Sequence, residues 1–491
     1  MLTAVALILL ALEGAAPATA SAEPTVLSKD DGQGKVTLPE FSPDPAFEPS
    51  YRIESIEVRG NHKTRTSLIL RELGLFTGDV VAANDPRVSV ARLRLLALGF
   101  FLDVHLSLVR GEHRGLAKLV VDVEERGTLI LDAIYLGTSD ATDVWGGLAG
   151  TERNLLGTGL SVGAGLVGST RPSVLGAEPG FASALRVAGP PAFFPGHLTF
   201  QGSLSLSHKS EFYRKAGNDD SASSADFVAT NVRRVGGTLG VGRAITRTFF
   251  MMGEARLESI KATLPSDRQQ VLPSGDNEPI AFEVRDGRSH VGSFTLLFDF
   301  DTRSDTVLPR NGHHVSLSLE GSADGLASSY SSLKGVAQSA SYFPLRSGHV
   351  IGIHGFLGGI WGDAPYFDRF FVGDLNLLLP PRALGLNFST QPSLDVLGTR
   401  MAAHRYENVA ARALVEYAVP LWRRHGILYR GDAFAAFGVF GMSNPDHWRA
   451  SAKSFSDVVS LDMTGDLGLR LDTTVGIFTL SVANAIGRIP F

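Results

Sequence analysis

The sequence predicts an all-β transmembrane barrel of about 16 antiparallel strands, preceded by a small α/β domain. Three observations lead there. Of 491 residues, 44% are hydrophobic and 54 are glycine, and mean hydropathy is +0.10. Yet past the N-terminus no apolar run reaches the roughly 18 residues of a membrane helix. Apolarity without long apolar runs is what alternating membrane strands give, because half of their residues face lipid. The second observation is that helical periodicity is confined to residues 51–126. The third is that everything after Gly127 alternates apolar with small or polar residues, between turn clusters and longer polar stretches. The formal charge of −5 gives no general attraction to nucleic acid. With no cysteine there is no disulfide, thiolate zinc site or lipid-modified N-terminal cysteine.

Taken in order, residues 1–22 read as an export signal. Leu2–Leu12 (LTAVALILLAL) is an apolar core of secretory length, and ATASA ending at Ala22 offers two A-x-A-like cleavage sites. No Lys or Arg precedes that core, and a short buried helix or membrane anchor is the alternative. Residues 23–50 are rich in Pro, Asp, Ser and Gly without periodicity, and read as a flexible linker.

Residues 51–126 give the order β-α-α-β-β. YRIESIEVRGN is a short strand with Ile53, Ile56 and Val58 as apolar positions, ended by Gly60-Asn61. TRTSLILRELGL spaces Leu68, Leu70 and Leu75 for a helix, with Thr64 or Thr66 to cap it and Gly74 near its end. Asp85-Pro86 opens a second helix whose apolar face is expected at Val90, Leu93 and Ala97. DVHLSLV and LAKLVVDVEE then alternate as two strands.

From 127 to 491, segments such as HLTFQGSLSLSH, HHVSLSLEGS and GIFTLSVANA alternate. At about 20–25 residues per strand and connection, this length holds roughly 16 strands. A soluble β-sandwich also alternates, but seldom runs so far without division into domains. A terminal Phe491 suits a final strand ending in an aromatic girdle.

ERNLLGTG (152–159) reads as the first barrel hairpin. Asn154 initiates the turn through its side chain, while Gly157 and Gly159 remove bulk where strands bend or approach closely. The stretch is similar to the Asn-Leu-x-Gly-x-Gly motif of the BamA/TamA/FhaC-type outer-membrane barrel superfamily. The preceding domain resembles a POTRA module through IESIEVRGN, LLALGFFLDV and LVVDVEE. FDFDTRSDTVLPRNG (298–312), with Asp301, Arg303, Pro309 and Gly312, is similar to that family's Asp-Thr-Arg-Asp…Pro-x-x-Gly strand and turn. LVEYAVPL (414–421) is like its Glu-(Tyr/Phe)-x-x-Pro strand.

The resemblance implies a long loop folded into the lumen with an arginine at its tip. Here that loop is DRFFVGDLNLLLPPRALGLNFST (368–390), with Gly373 on the approach, Arg382 as the arginine and Gly385 after it. The family pairs the arginine with wall acids. Glu416 matches one. Ala436 stands where the second is expected, with Asp432 on the same face as a substitute. A guanidinium fork meeting a carboxylate would hold the loop in one pose. An ordinary solvated loop arginine is the plain alternative.

Several catalytic patterns carry nothing. GLSVG (159–163) lies inside a glycine-rich strand and not at a strand-to-helix turn. GAGLVG (163–168) is followed by no helix. His313 and His314 point to opposite faces of a strand. Asp299, Asp301 and Asp305 lack the spacing of a calcium loop. No catalytic residue, metal or cofactor is expected.

The resemblance implies a barrel in the outer membrane of a Gram-negative-type bacterium, with the POTRA domain in the periplasm. It would assemble, insert or translocate unfolded outer-membrane or secreted polypeptides. Outer-membrane lipid and periplasmic chaperones or lipoproteins are the other partners implied, and nucleic acid is not. The client edges expected are DVHLSLV (103–109) and a seam between 128–137 and 475–487. An FhaC-type secretion pore and a structural surface-antigen barrel are the alternatives.

Overall fold

The computed structural model describes residues 50–488 apart from 83–84, 140, 195–197, 217–222, 247, 272–274, 304–307, 372, 374–382, 389–405, 424–427, 446–459 and 474–475. The α/β domain comprises β1 (Ser50–Arg59), α1 (Thr66–Leu73), β2 (Val80–Ala82), α2 (Pro86–Ala97), β3 (Phe101–Arg110) and β4 (Leu116–Glu125). Its sheet order is β2-β1-β4-β3, with β1 and β4 parallel and the other pairs antiparallel. Both helices close on one core that includes Ile53, Leu68, Leu73, Leu95, Val104 and Leu119.

Three local expectations are corrected. β2 is an additional strand, too short to be legible as an alternating run. On α2 the buried residues are Ala91 and Leu95, with Val88 packed against the core, whereas Leu93 is 62% exposed. The stripe is rotated from the expected one, because a short helix with apolar residues at 88, 90, 93, 95 and 96 offers two faces at helical spacing. No threonine caps α1. Arg65 holds the cap position without a side-chain bond, and buried Thr64 is engaged elsewhere. Asp85 does cap α2, its carboxylate accepting from the Arg87 amide at 2.9 Å, with Pro86 in the first turn.

The second sheet holds 15 strands among the described residues, against about 16 expected. They are β5 (Leu129–Gly137), β6 (Trp145–Leu155), β7 (Leu160–Ser169), β8 (Phe181–Phe194), β9 (Leu198–Arg214), β10 (Phe227–Ala244), β11 (Phe249–Thr263) and β12 (Gly287–Asp301). β13 (Gly312–Ser322), β14 (Ser332–Pro344), β15 (Val350–Gly362), β16 (Val409–Arg423), β17 (Leu428–Ser443), β18 (Ser460–Thr473) and β19 (Gly476–Arg488) complete it. Each strand pairs antiparallel with its neighbours in chain order. Fifteen is odd, so β5 and β19 run in the same direction, and no ladder joins them among the described residues.

Period-two alternation sorts the side chains. Leu204 and Leu206 of β9, Leu239 of β10 and Leu257 of β11 are exposed on the outside. Lys209 and Glu211 of β9 and Glu258 of β11 are buried on the inside. Apolar-out, polar-in is the pattern of a barrel whose outer wall meets lipid. Among the described residues no helix is long and apolar enough to cross a membrane; the strands do so.

The rotated α2 stripe is checkable. Leu95→Ala should lower the stability of residues 51–126, read by hydrogen exchange in the full chain, by about 2–5 kcal/mol. Leu93→Ala should stay within about 0.5 kcal/mol of the parent.

Candidate functional site

The turn between β6 and β7 meets the α/β domain. Gly157 has φ +71° and Gly159 φ +79°, a region that favours glycine. The Gly157 carbonyl accepts from the Arg65 amide at 3.0 Å. A Cβ added at Gly157 would lie 2.0 Å from the Lys63 carbonyl oxygen, so a close approach as well as φ requires glycine. Buried Asn154 works in two directions: Oδ1 accepts from the Gly159 amide at 2.8 Å, and Nδ2 donates to Thr64 Oγ1 at 2.9 Å. The NLLGTG turn is thus a domain joint as well as a hairpin.

Glu125, at the end of β4, holds the other side of that joint. The amides of His62, Lys63 and Thr64 donate to its carboxylate at 3.0, 2.9 and 2.6 Å. Burial alone would push this carboxyl up, but the three amides outweigh it and hold it below the usual carboxylate range. One residue on, Arg126 reaches Asp472 at the near end of β18, 3.7 Å away. Sequence reasoning missed this joint, since nothing local in 61–65 marks it as the partner of a turn ninety residues away.

The lumen is lined by charges that fasten a loop. After β15 the chain turns inward, burying Tyr366, Phe367, Phe370 and Phe371, and Phe370–Phe371 pairs with Tyr406–Glu407. Gly373 is buried beyond it. Asp368 meets Arg256 of β11 at 3.0 Å, and its carbonyl accepts from Lys334 Nζ at 2.7 Å. Arg256 is shared with Glu258 (2.7 Å) and Glu320 (3.4 Å). Arg234 binds Glu258 and lies 3.9 Å over the Phe367 ring. Lys209 lies beside Glu211 (3.4 Å), 4.8 Å over Tyr366, and donates to the Gly385 carbonyl at 3.2 Å. Further along, Ser139 and Thr142 hydroxyls donate to the Phe388 carbonyl, and Trp145 stacks on the Phe388 ring at 4.8 Å.

Arg382, expected to be the loop's anchor, lies outside the described residues. Its neighbour Ala383 packs with Leu386 and Phe388 against Val167 and Ala182. Gly385 has φ +82°. Glu416 takes its arginine from the wall: Arg470 of β18 grips it bidentately, with Nη1 and Nη2 at 3.0 and 2.9 Å from the two oxygens, and lies 4.7 Å over Phe434. Asp432 is buried, in register with Arg470, and 3.5 Å from Arg430 Nε. Neither Arg470 nor the Arg256–Asp368 pair was anticipated; a single arginine in LGLRLD or GEARLE carries no local signal of its partner.

The 298–312 motif folds beneath these groups. Arg303 forks onto Asp301, with Nη2 at 2.6 Å and Nε at 2.9 Å, closing the β12–β13 connection. Gly312 has φ +97°, and a Cβ there would lie 2.4 Å from the Thr302 carbonyl oxygen. Pro309, Glu416, Asp432 and Arg470 line one cavity of about 20 Å³, so the 298–312 and 414–421 motifs converge on it.

Two experiments test these assignments. Asp368→Asn should remove Arg256's loop partner while Glu258 and Glu320 stay, at a cost of about 2 kcal/mol for the lost charge-assisted bond. Ion conductance in planar bilayers should rise as the loop loosens. Asp363→Asn, in an exposed pair with Arg285, should leave conductance unchanged. For the joint, a carboxyl held low stabilises above its ordinary value near 4.3 and stops doing so as pH falls through its lowered value. Spin labels at R71C and T246C, in a chain without native cysteine, should report a fixed distance from pH 7 to about 5 and a broadening below about 4. Glu125→Gln should broaden the distance at every pH and flatten that dependence.

Comparison with known proteins agrees with this architecture. Residues 154–489 match the Omp85 superfamily domain, and residues 51–126 match the POTRA model, described as a surface antigen variable number repeat. The outer membrane protein assembly factor BamA of Nitratidesulfovibrio vulgaris is 24% identical over 333 residues, 66% of this chain and 37% of that relative's length. BamA of Neorickettsia risticii is 36% identical over 112 residues, 22% of this chain and 14% of the relative. The chain therefore spans well under half the length of these curated relatives. Among solved structures, BamA from Haemophilus ducreyi lacking POTRA domains 1–3 superposes with TM-score 0.52 at 16% identity, covering 89% of this chain and 82% of that one. CdiB from Escherichia coli gives TM-score 0.55 at 10% identity, covering 88% and 73%. With the fold, the joint and the lumen loop in place, the chain belongs to the Omp85 superfamily: a POTRA-bearing β-barrel of the outer membrane.

Proposed function

We propose that this protein assembles, inserts or translocates polypeptide clients at the outer membrane, without covalent chemistry, by offering them open sheet edges. The observation that carries this reading is β3, an edge strand of the POTRA sheet. Beside it lies a groove of about 810 Å³ lined by Val88, Leu106, Leu108 and Val109 and rimmed by Arg110 and Arg114. An extended client added to such an edge gains backbone hydrogen bonds, which tolerate any sequence, and pockets for alternate side chains. Among the described residues β5 is laddered on its β6 side alone, and its other side offers a second edge at the barrel wall. The anchored loop in the lumen supports lateral handling of clients over free passage through the pore. The names of the BamA relatives support the same class of activity.

Backbone pairing predicts a particular mutational pattern. Proline at Ser107 should remove a donor and abolish client cross-linking from cysteines placed in β3, whereas alanine there should preserve it. Cross-links confined to α1 and α2 would refute the edge assignment. Depletion of the protein should deplete many outer-membrane barrels together. Loss of one secreted protein alone would favour a dedicated secretion pore, and an unchanged membrane would favour a structural barrel.

A further inference from the structure

A row of basic side chains crosses the outside of the barrel. His208 of β9 is in register with Arg233 of β10, Arg233 with Lys261 of β11, and Lys261 with Arg288 of β12. These positions share the strand face of the exposed residues Leu206, Val235, Leu257 and Phe294, so the row points away from the lumen. Arg233, Lys261 and Arg288 are exposed. The row also has a defined height. The β6–β7 turn meets the POTRA domain, so β9 and β11 run away from it and β10 and β12 return; His208 and Lys261 lie in the far halves of their strands. Two rows nearer the POTRA domain, Leu204 and Leu257 face outward.

Directly opposed residues on neighbouring strands sit about 5 Å apart at Cα, and like charges placed so destabilise a sheet. Glu178 answers part of the row, 2.5 Å from His208 Nε2 and 3.7 Å from Arg233. Lys261 and Arg288 have no ion pair among the described residues. One acid against three full cations leaves two positive charges uncompensated, side by side, at the upper margin of the lipid-facing surface. Isolated interfacial lysines and arginines need only water; three in register on adjacent strands call for a polyvalent anion between them.

We propose that this row binds the phosphate groups of phosphorylated lipids in the outer leaflet. The cations grip the headgroup while the acyl chains lie along the apolar wall beneath, so one lipid satisfies both surfaces. Phosphate suits the site because it accepts several charge-assisted hydrogen bonds at once from donors on different strands. A bound anionic lipid would relieve the repulsion along the row.

The test uses the full chain in a non-ionic detergent, with native mass spectrometry during titration with phosphatidic acid or with phosphatidylcholine of the same acyl chains. The protein should retain phosphatidic acid about tenfold more tightly than phosphatidylcholine. The triple variant R233Q/K261Q/R288Q should lose that preference while keeping the heat-modifiable migration of a folded barrel. A charge-matched variant away from the client groove, R52Q/R71Q/R94Q in the POTRA domain, should keep it. Equal lipid preference in the row variant and the parent, or equal loss in both triples, would overturn the proposal. Displacement of phosphatidic acid by equimolar inorganic phosphate would overturn it too, because the site would then recognise free phosphate and not lipid.

Discussion

The barrel rests on one constraint: inside a membrane, every backbone amide and carbonyl must find a partner within the protein. A ladder of antiparallel strands meets it, and the rest follows from the two-residue period the ladder imposes. Leucines and phenylalanines are sent outward to lipid. Arg234, Arg256, Glu258 and Glu320 are sent inward, where water and one another are their available partners. A lumen wall built that way is a field of fixed charges, and the loop after β15 is shaped to it. Among the described residues it sets the Asp368 carboxylate against Arg256, the Asp368 and Gly385 carbonyls against Lys334 and Lys209, and the rings of Tyr366, Phe367 and Phe370 against Lys209, Arg234 and Lys334.

Two fastenings surround the place where the family resemblance implies a loop arginine, and Arg382 itself lies outside the described residues. A loop arginine held by wall acids is the expected scheme. In the described residues a loop acid, Asp368, is held by a wall arginine, and the wall acid Glu416 is neutralised by Arg470 from its own sheet. Because Arg470 meets Glu416 bidentately, that carboxylate keeps one cation whatever the loop does, which lowers the penalty of stranding a buried charge there; the same penalty arises at Arg256 when Asp368 moves. The shared site of Arg256 still keeps two acids after Asp368 leaves, which softens even that penalty.

Much of this architecture could be read from the sequence because it depends on short-range pattern. Alternation in HLTFQGSLSLSH exposes a barrel strand, and Asp85-Pro86 exposes a helix start, with no knowledge of the rest of the chain. The failures share a different cause. Leu93 and Leu95 are two residues apart on a helix apolar around much of its girth, so only the sheet beneath decides which is buried. Arg470 and Glu416 are 54 residues apart, and Asp368 and Arg256 are 112 apart; no spacing rule joins them. Gly157 is intermediate. A residue without bulk at a bend or close approach is expected there from the sequence, but its left-handed φ and its near-contact with Lys63 depend on how two domains meet.

The open side of β5 gives a guest strand a direction of travel. β5 leaves the POTRA domain and climbs the wall, and among the described residues β6 alone is laddered to it. A guest strand antiparallel to β5 would descend. Its N-terminal end is then at the cell surface and its C-terminal end at the periplasmic mouth, so the joint formed by Asn154, Gly157 and Glu125 would fix the POTRA edge near the trailing part of any polypeptide seated there. The barrel would act as a one-way template, reading the polarity of a chain while remaining indifferent to its side chains.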